Sequence, residues 1–164
     1  MVPDGLKRVL ATLFELRLEI NGANAWQFAS AVVNASENLR VLVIGDGGGG
    51  RIHEHLVEVT AGALHLRCLV LTAENPCPGL ASVAMGPPRL RLLQVPAIRH
   101  LETISQTRTT SLQHVALSRY NAPTAETALV IAQLVASAQL TSLAISGSEQ
   151  ASVSPYSRQL TVRR

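Results

Sequence analysis

The chain has few aromatic residues, little charge and almost no cysteine. Aromatic residues make up 3% of the sequence and charged residues 15%, against 47% hydrophobic residues. Such an apolar composition excludes a disordered chain, and the scarcity of rings favours a core of Leu, Val and Ala. The two cysteines, Cys68 and Cys77, fit neither a zinc site nor a disulfide framework. We therefore expect a reducing, intracellular compartment, with the cytoplasm as the first choice.

The sequence also lacks three kinds of feature that would indicate particular partners or sites. The net charge is +3, but Lys and Arg are not clustered beyond Arg163 and Arg164, so nucleic acid is not the expected partner. No apolar run is long enough to cross a bilayer, and the first residues lack the layout of a secretory signal. No metal-ligand spacing or acid–base constellation stands out, so we expect no metal, no cofactor and no catalytic residue.

What the sequence does contain is one apolar pattern, at positions 1, 4 and 6 of a short segment, repeated six times. The copies start at Leu13, Leu39, Leu66, Leu90, Leu112 and Leu140, and successive starts are 26, 27, 24, 22 and 28 residues apart. An apolar pattern that recurs in one phase about every 20 to 50 residues is typical of a solenoid, in which each repeat is one supersecondary unit. The pattern predicts strands with positions 1, 4 and 6 in a core and positions 2, 3 and 5 outside it.

The segments between these strands predict helices in three units. Apolar residues recur at helical spacing over 25–35, 51–64 and 125–138, and Trp26 and Phe28 belong to the predicted stripe of the first of these. A short helix over 6–12, capped by Asp4, is expected before the first strand. We predict a single domain over 1–164, with an N-terminal cap over 1–12, repeats over 13–147 and a C-terminal cap or frayed end over 148–164.

The pattern, with Asn21 at position 9 of the first unit, resembles the leucine-rich repeat family, and the longer units resemble its ribonuclease-inhibitor-like class. The resemblance implies an α/β fold, a curved solenoid of about six repeats with a parallel sheet on its concave face and helices or irregular arcs on its convex face. It also implies a non-catalytic module that binds another protein on the concave sheet, as an adaptor, a receptor fragment or a subunit of a larger assembly.

The outward positions of the central units predict the binding residues. Position 2 carries Arg40, Arg67 and Arg91 in successive units, and a column of like charges favours a partner with an acidic surface. Positions 3 and 5 are largely apolar there, which is typical of an interface. The predicted partner-binding residues are Arg40, Val41, Val43, Arg67, Cys68, Val70, Arg91, Leu92, Gln94 and His114.

The glycine-rich segment after the second predicted strand allows an alternative interpretation. A strand that runs into a glycine-rich turn and a helix resembles the cofactor motif of Rossmann-type methyltransferases and aminopropyltransferases. That resemblance implies an S-adenosylmethionine-dependent methyltransferase-like domain, active or catalytically dead. Its cofactor-binding residues would be Gly45, Gly47, Gly49 and Glu74. Against it, Pro96 and Ser118 occupy the ends of later strands, where such a site requires carboxylates.

Overall fold

The computed structural model describes residues 3–21, 25–46, 52–72, 89–96, 111–117, 140–146 and 159–163, with residues 129, 132, 133 and 136 of a further helical segment. The helices with described bounds are α1 (Asp4–Leu10), α2 (Ala25–Asn34) and α3 (Ile52–Ala61). The strands are β1 (Glu15–Ile20), β2 (Val41–Asp46), β3 (Cys68–Leu71), β4 (Leu92–Val95), β5 (His114–Leu117), β6 (Ser142–Ser146) and β7 (Gln159–Arg163). The prediction of a mixed α/β fold is confirmed.

These seven strands form one sheet, and they lie in it in chain order from β1 to β7. The first six are parallel to one another, and β7 pairs antiparallel with β6. The strands of the six repeats are therefore neighbours in the order in which the chain supplies them. This order differs from that of the Rossmann-type arrangement, in which the strand order reverses at the cofactor crevice.

The pairing register aligns the repeats position by position. At position 4 the Cα partners across the six parallel strands are Leu16, Leu42, Leu69, Leu93, Val115 and Leu143. All but Leu16, on the edge strand, are buried, as are the position-1 leucines from Leu39 to Leu140. These residues share one hydrophobic core. The prediction that positions 1, 4 and 6 face the core is confirmed for the described units.

A kink at positions 2 and 3 makes this apolar spacing possible. Side chains on a regular strand alternate with a period of two, so positions 1 and 4 of an ideal strand point to opposite faces. Here the amide N–H groups of positions 2 and 3 both donate to one carbonyl oxygen of the preceding strand. Arg67 and Cys68 donate to the Arg40 oxygen at 2.8 and 2.9 Å, and this arrangement recurs at all five parallel junctions. Because every unit bends at the same place, the strands stay paired residue for residue, and the two consecutive side chains at positions 2 and 3 point away from the core.

The turn that joins each helix to its strand is repeated as well. In three units the amide N–H of position 1 donates to the carbonyl oxygen three residues earlier. The distances are 3.1, 3.1 and 3.0 Å for Leu13–Leu10, Leu39–Ser36 and Leu66–Ala63. The acceptor residue is buried in each unit. Helices α1, α2 and α3 therefore lead into their strands through equivalent turns, which the apolar pattern alone does not predict.

Helices α2 and α3 pack on the face of the sheet that carries the position-4 leucines. Trp26, Ala29 and Val33 of α2 are buried in the same cluster as Leu42 and Leu69. Residues of α3 join that cluster too, and the two helices contact each other. The core is therefore a layer between the sheet and helices on one of its faces.

Two details of the helix predictions are wrong. Phe28 is 59% exposed, because it lies two residues from buried Trp26 and so roughly 200° around the helix. Asp4 is not the cap of α1; Pro3 occupies the N-cap and Asp4, in the first turn, accepts a hydrogen bond from Lys7 Nζ at 2.8 Å. The C-terminal segment contains strand β7. Most of the chain that joins β3 to β4 and β4 to β5 lies outside the described residues.

Candidate functional site

The face of the sheet opposite the helices is half-exposed, and it is called the open face below. Its side chains come from positions 3 and 5 of β2 to β6, and all of them are partly accessible to solvent. They are Val41, Val43, Cys68, Val70, Leu92, Gln94, His114, Ala116, Ser142 and Ala144. Because parallel sheets are ordinarily covered on both faces, an open face made of these residues points to a binding surface.

The centre of the open face is apolar. Val41, Val43, Cys68, Val70 and Leu92 come from three adjacent strands, in register with one another. We call these five residues the apolar centre. The residues around it are more polar, with charged side chains on β1, the amide of Gln94 at the end of β4, and imidazole and hydroxyl groups on β5 and β6. An apolar centre within a polar rim is the usual anatomy of a protein–protein interface.

A column of exposed arginines borders the apolar centre where the strands begin. Arg40, Arg67 and Arg91 occupy position 2 of successive units, and each donates its backbone N–H to the position-2 carbonyl oxygen of the preceding unit. Neighbouring strands are about 4.8 Å apart, so the three arginine side chains are attached to the backbone at that spacing. Phe14 begins the column, and the Arg40 guanidinium lies 5.1 Å from the centre of its ring. The three arginines are therefore neighbours at position 2 of successive units.

A basic cleft opens beside this column. It has a volume of about 150 Å³ and is lined by Asn38, Arg40, His65, Arg67 and Arg89. Arg40 and Arg67 belong to the arginine column, and the other three residues come directly before position 1 of their units. The predicted binding residues do not include these three, although the same repeat phase places them in one row at position 0.

No carboxylate compensates the arginines among the described residues. Two of the described ion pairs with a Lys or Arg are Lys7–Asp4 at 2.8 Å and Arg17–Glu15 at 2.9 Å, and both lie outside the cleft. Within the described chain, Arg40, Arg67, Arg89 and Arg91 form no ion pair with a carboxylate. Like charges at this spacing repel one another unless an anion neutralises them. The column and the cleft are therefore suited to an anionic partner.

The residues predicted to bind a partner come together on one surface. Seven of them lie on the open face and three form the arginine column that borders it. The residues predicted for a cofactor do not form a described site. Gly45 is buried beneath the Glu19 side chain, which occupies the space that a side chain at Gly45 would fill. Gly47, Gly49 and Glu74 lie outside the described residues.

A second cleft lies between α2 and α3, away from the open face. Its volume is about 440 Å³ and its lining includes Trp26, Asn34, His55 and Glu58. The His55 ring lies 5.7 Å from that of Trp26, and its Nδ1 is 3.3 Å from Glu58 Oε2. Among the described residues no three metal-ligating side chains converge, here or elsewhere. This cleft has one acidic and one imidazole group, without the concentrated charge of the basic cleft.

Cys68 is the one potentially nucleophilic thiol on the described open face. Burial in the sheet raises the pKa of the thiol, and the nearby Glu15 carboxylate raises it further. Because the thiolate is the reactive form, a raised pKa keeps the side chain neutral and unreactive near neutral pH. Cys68 therefore acts here as an apolar contact residue of the sheet surface.

We expect Cys68 to react slowly with iodoacetamide. In a Cys77→Ser variant Cys68 is the only thiol, and the rate of its alkylation at about pH 7.5 should be several-fold lower in the folded protein than in urea. Glu15→Gln should raise the folded-state rate, since it removes a negative charge that disfavours the thiolate. Equal rates for the folded and unfolded chain would contradict the burial of this thiol.

Comparison with known proteins assigns no family. The sequence matches no family model and no curated protein, and the fold matches no solved structure. Within the described chain, no helix is long and apolar enough to cross a membrane. The functional conclusion therefore depends on the open face, the arginine column and the basic cleft.

Proposed function

We propose that this protein is a non-catalytic interaction module that binds another protein on the open face. The observation that carries the proposal is the apolar centre bordered by three exposed arginines that have no carboxylate partner among the described residues. The apolar centre would contribute by losing its contact with water on binding. The partner has an acidic surface, because complementary charge lowers the repulsion within the column and speeds encounter.

The proposed scaffold is a leucine-rich-repeat solenoid with the open face as its concave side. Three observations support it: the strands follow chain order, the shared carbonyl acceptor recurs at every parallel junction, and the turn before position 1 recurs in three units. In such repeat arrays each unit contacts its neighbours and the stacked strands form one extended binding surface. A module of this kind acts as an adaptor, a receptor fragment or a subunit of a larger assembly inside the cell.

The edge strand favours docking on the face of the sheet over addition of a strand to its edge. Strand β1 carries Glu15, Arg17 and Glu19, all exposed, and Arg17 Nε donates to Glu15 Oε1 at 2.9 Å. Charged side chains on an edge strand discourage pairing with another chain. The side chains of the open face, and not the backbone of β1, therefore provide the proposed contact.

A photo-crosslinking residue in place of Val70 tests whether the open face meets a partner. Val70 lies in the apolar centre, so we expect its crosslinker to capture a discrete protein in cells that express the full chain. Phe28, which is 59% exposed on the helix side, is the matched control position. The open face would lose its proposed role if both positions captured the same proteins, or if neither captured any.

For a partner captured in this way, Arg67→Glu should weaken binding by about 10-fold to 100-fold in interferometry, the loss expected for a charge-assisted hydrogen bond. Arg67 lies in the middle of the column, and a carboxylate there would repel an acidic surface. Arg8→Glu reverses a charge in the exposed helix α1 and should leave the affinity within about twofold. An unchanged affinity for Arg67→Glu would rule out the column as the contact.

A further inference from the structure

The side chains that line the basic cleft carry more hydrogen-bond donors than acceptors. Each of its three guanidinium groups has up to five N–H groups and no acceptor. Arg89 Nη1 lies 3.0 Å from His65 Nδ1 and donates to it, so the imidazole proton is on Nε2, which becomes a further donor. Asn38 Nδ2 donates to the Ala11 carbonyl oxygen at 2.8 Å and keeps a second N–H. This lining favours a ligand that accepts many hydrogen bonds at once.

The charge of the cleft exceeds what one carboxylate neutralises. Arg40, Arg67 and Arg89 bring three positive charges to a volume of about 150 Å³, and a single Asp or Glu side chain brings one negative charge. A phosphate monoester carries about −1.5 to −2 charges near neutral pH and three strong acceptor oxygens. Guanidinium groups also match phosphate oxygens in pairs, through two parallel N–H···O bonds. A phosphate group therefore fits this cleft better than a carboxylate does.

Two residues of the basic cleft lie next to residues of the apolar centre along the chain. Arg40 and Arg67, which line it, directly precede Val41 and Cys68 in the sequence. These neighbours on the sheet are apolar but not aromatic, and one described aromatic ring, Phe14, lies near the Arg40 guanidinium. Sites for single-stranded nucleic acid combine cations with several aromatic platforms on which successive bases stack. Apolar side chains next to a phosphate are instead a feature of a phosphorylated polypeptide.

We propose that the basic cleft binds the phosphate group of a phosphorylated side chain on the partner protein, with apolar residues of that partner on Val41, Cys68 and Leu92. This inference rests on the proposed function, because it names the chemistry by which the partner is recognised. Phosphorylation of the partner then strengthens binding, since the unmodified hydroxyl side chain brings no negative charge to the three arginines of the cleft. The arginine column supplies the general attraction to acidic surfaces, and the cleft supplies selectivity for phosphate.

Isothermal titration of the full chain with short capped peptides tests the proposal. One peptide has phosphoserine flanked by leucine and valine, and two others have serine or glutamate in its place. The phosphopeptide should bind at least about tenfold more tightly than the other two, as expected for several charge-assisted hydrogen bonds. Equal affinity of the phosphoserine and glutamate peptides would overturn the inference, yet the Arg67→Glu test of the proposed function would still stand.

Two arginine variants separate the cleft from the column. Arg89→Gln removes a lining residue that is not part of the column, and should weaken the phosphopeptide about tenfold. Arg91→Gln removes a column residue that does not line the cleft, and should weaken the phosphopeptide less than about threefold at physiological salt. Equal losses in the two variants would show nonspecific attraction and overturn the inference.

Inorganic phosphate and a single-stranded oligonucleotide serve as competing probes, with circular dichroism to confirm that each variant is folded. We expect both to bind more weakly than the phosphopeptide, because neither places apolar side chains on the open face. Tighter binding of the oligonucleotide, lost in Arg89→Gln, would assign the cleft to nucleic acid. Binding of inorganic phosphate as tight as that of the phosphopeptide would assign it to a free anion, and either result overturns the inference.

Discussion

Replacing Leu69 with alanine should lower the free energy of unfolding by about 2 to 5 kcal/mol, the range observed for buried leucines. Leu69 has no exposed surface and pairs with Leu42 on one side and Leu93 on the other. The cavity would therefore open in the middle of the position-4 row, where strands on both sides hold the backbone in place and limit its collapse.

Thermal unfolding followed by circular dichroism measures this effect. For a chain of this size the loss corresponds to a fall in Tm of roughly 4 to 20 °C. Val70→Ala is the matched control, because Val70 is the next residue of the same strand but lies half-exposed on the open face. We expect it to cost less than about 1 kcal/mol. Similar losses for the two variants would contradict the assignment of one buried and one open face.

The strand layer could be predicted from the sequence because the same apolar pattern recurs in one phase in all six units. Positions 1, 4 and 6 in the described units face the core as expected, and the rows follow the chain order. The physical device that reconciles this spacing with a strand could not be predicted. It is a backbone feature: the N–H groups of positions 2 and 3 share one carbonyl acceptor of the preceding unit. This feature depends on the neighbouring backbone more than on side-chain identity.

The helices were less predictable than the strands, since the sequence does not determine which flank of a helix meets the sheet. Trp26 and Phe28 are equally apolar in pattern, but they lie on opposite sides of α2 and only Trp26 is buried. The equivalent turns before Leu13, Leu39 and Leu66 were not foreseen either. The acceptors in these turns are the backbone carbonyl groups of Leu10, Ser36 and Ala63. These residues share no side-chain type, so no residue pattern in the sequence marks the turns.

The candidate site was predicted in part, for a related reason. Arg40, Arg67 and Arg91 share one position of the repeat, so the column follows from register alone. The cleft depends on the row just before position 1, where Asn38, His65 and Arg89 differ in residue type and so form no sequence pattern. Only the structure shows that this row and two residues of the arginine column, Arg40 and Arg67, line one cleft.

Trp26→Ala should be the most destabilising single substitution on the helix side, at about 3 to 5 kcal/mol. Trp26 is 5% exposed, belongs to the cluster that contains Leu42, and packs against the His55 ring of α3. Its removal would leave a cavity at a junction of three elements, α2, α3 and the sheet. Phe28→Ala removes a ring from the same helix at a position that is 59% exposed, and should change stability by less than about 0.5 kcal/mol.

Urea denaturation followed by circular dichroism is the suitable measurement, because Trp26 is the only tryptophan and its removal abolishes that fluorescence signal. If α2 covers the sheet through Trp26, the midpoint falls sharply for Trp26→Ala and stays unchanged for Phe28→Ala. A loss of stability in Phe28→Ala equal to that in Trp26→Ala would mean that α2 is rotated about its axis. The core would then lie against a different side of the helix. The distinction between a helix-covered face and an open face of the sheet would no longer hold.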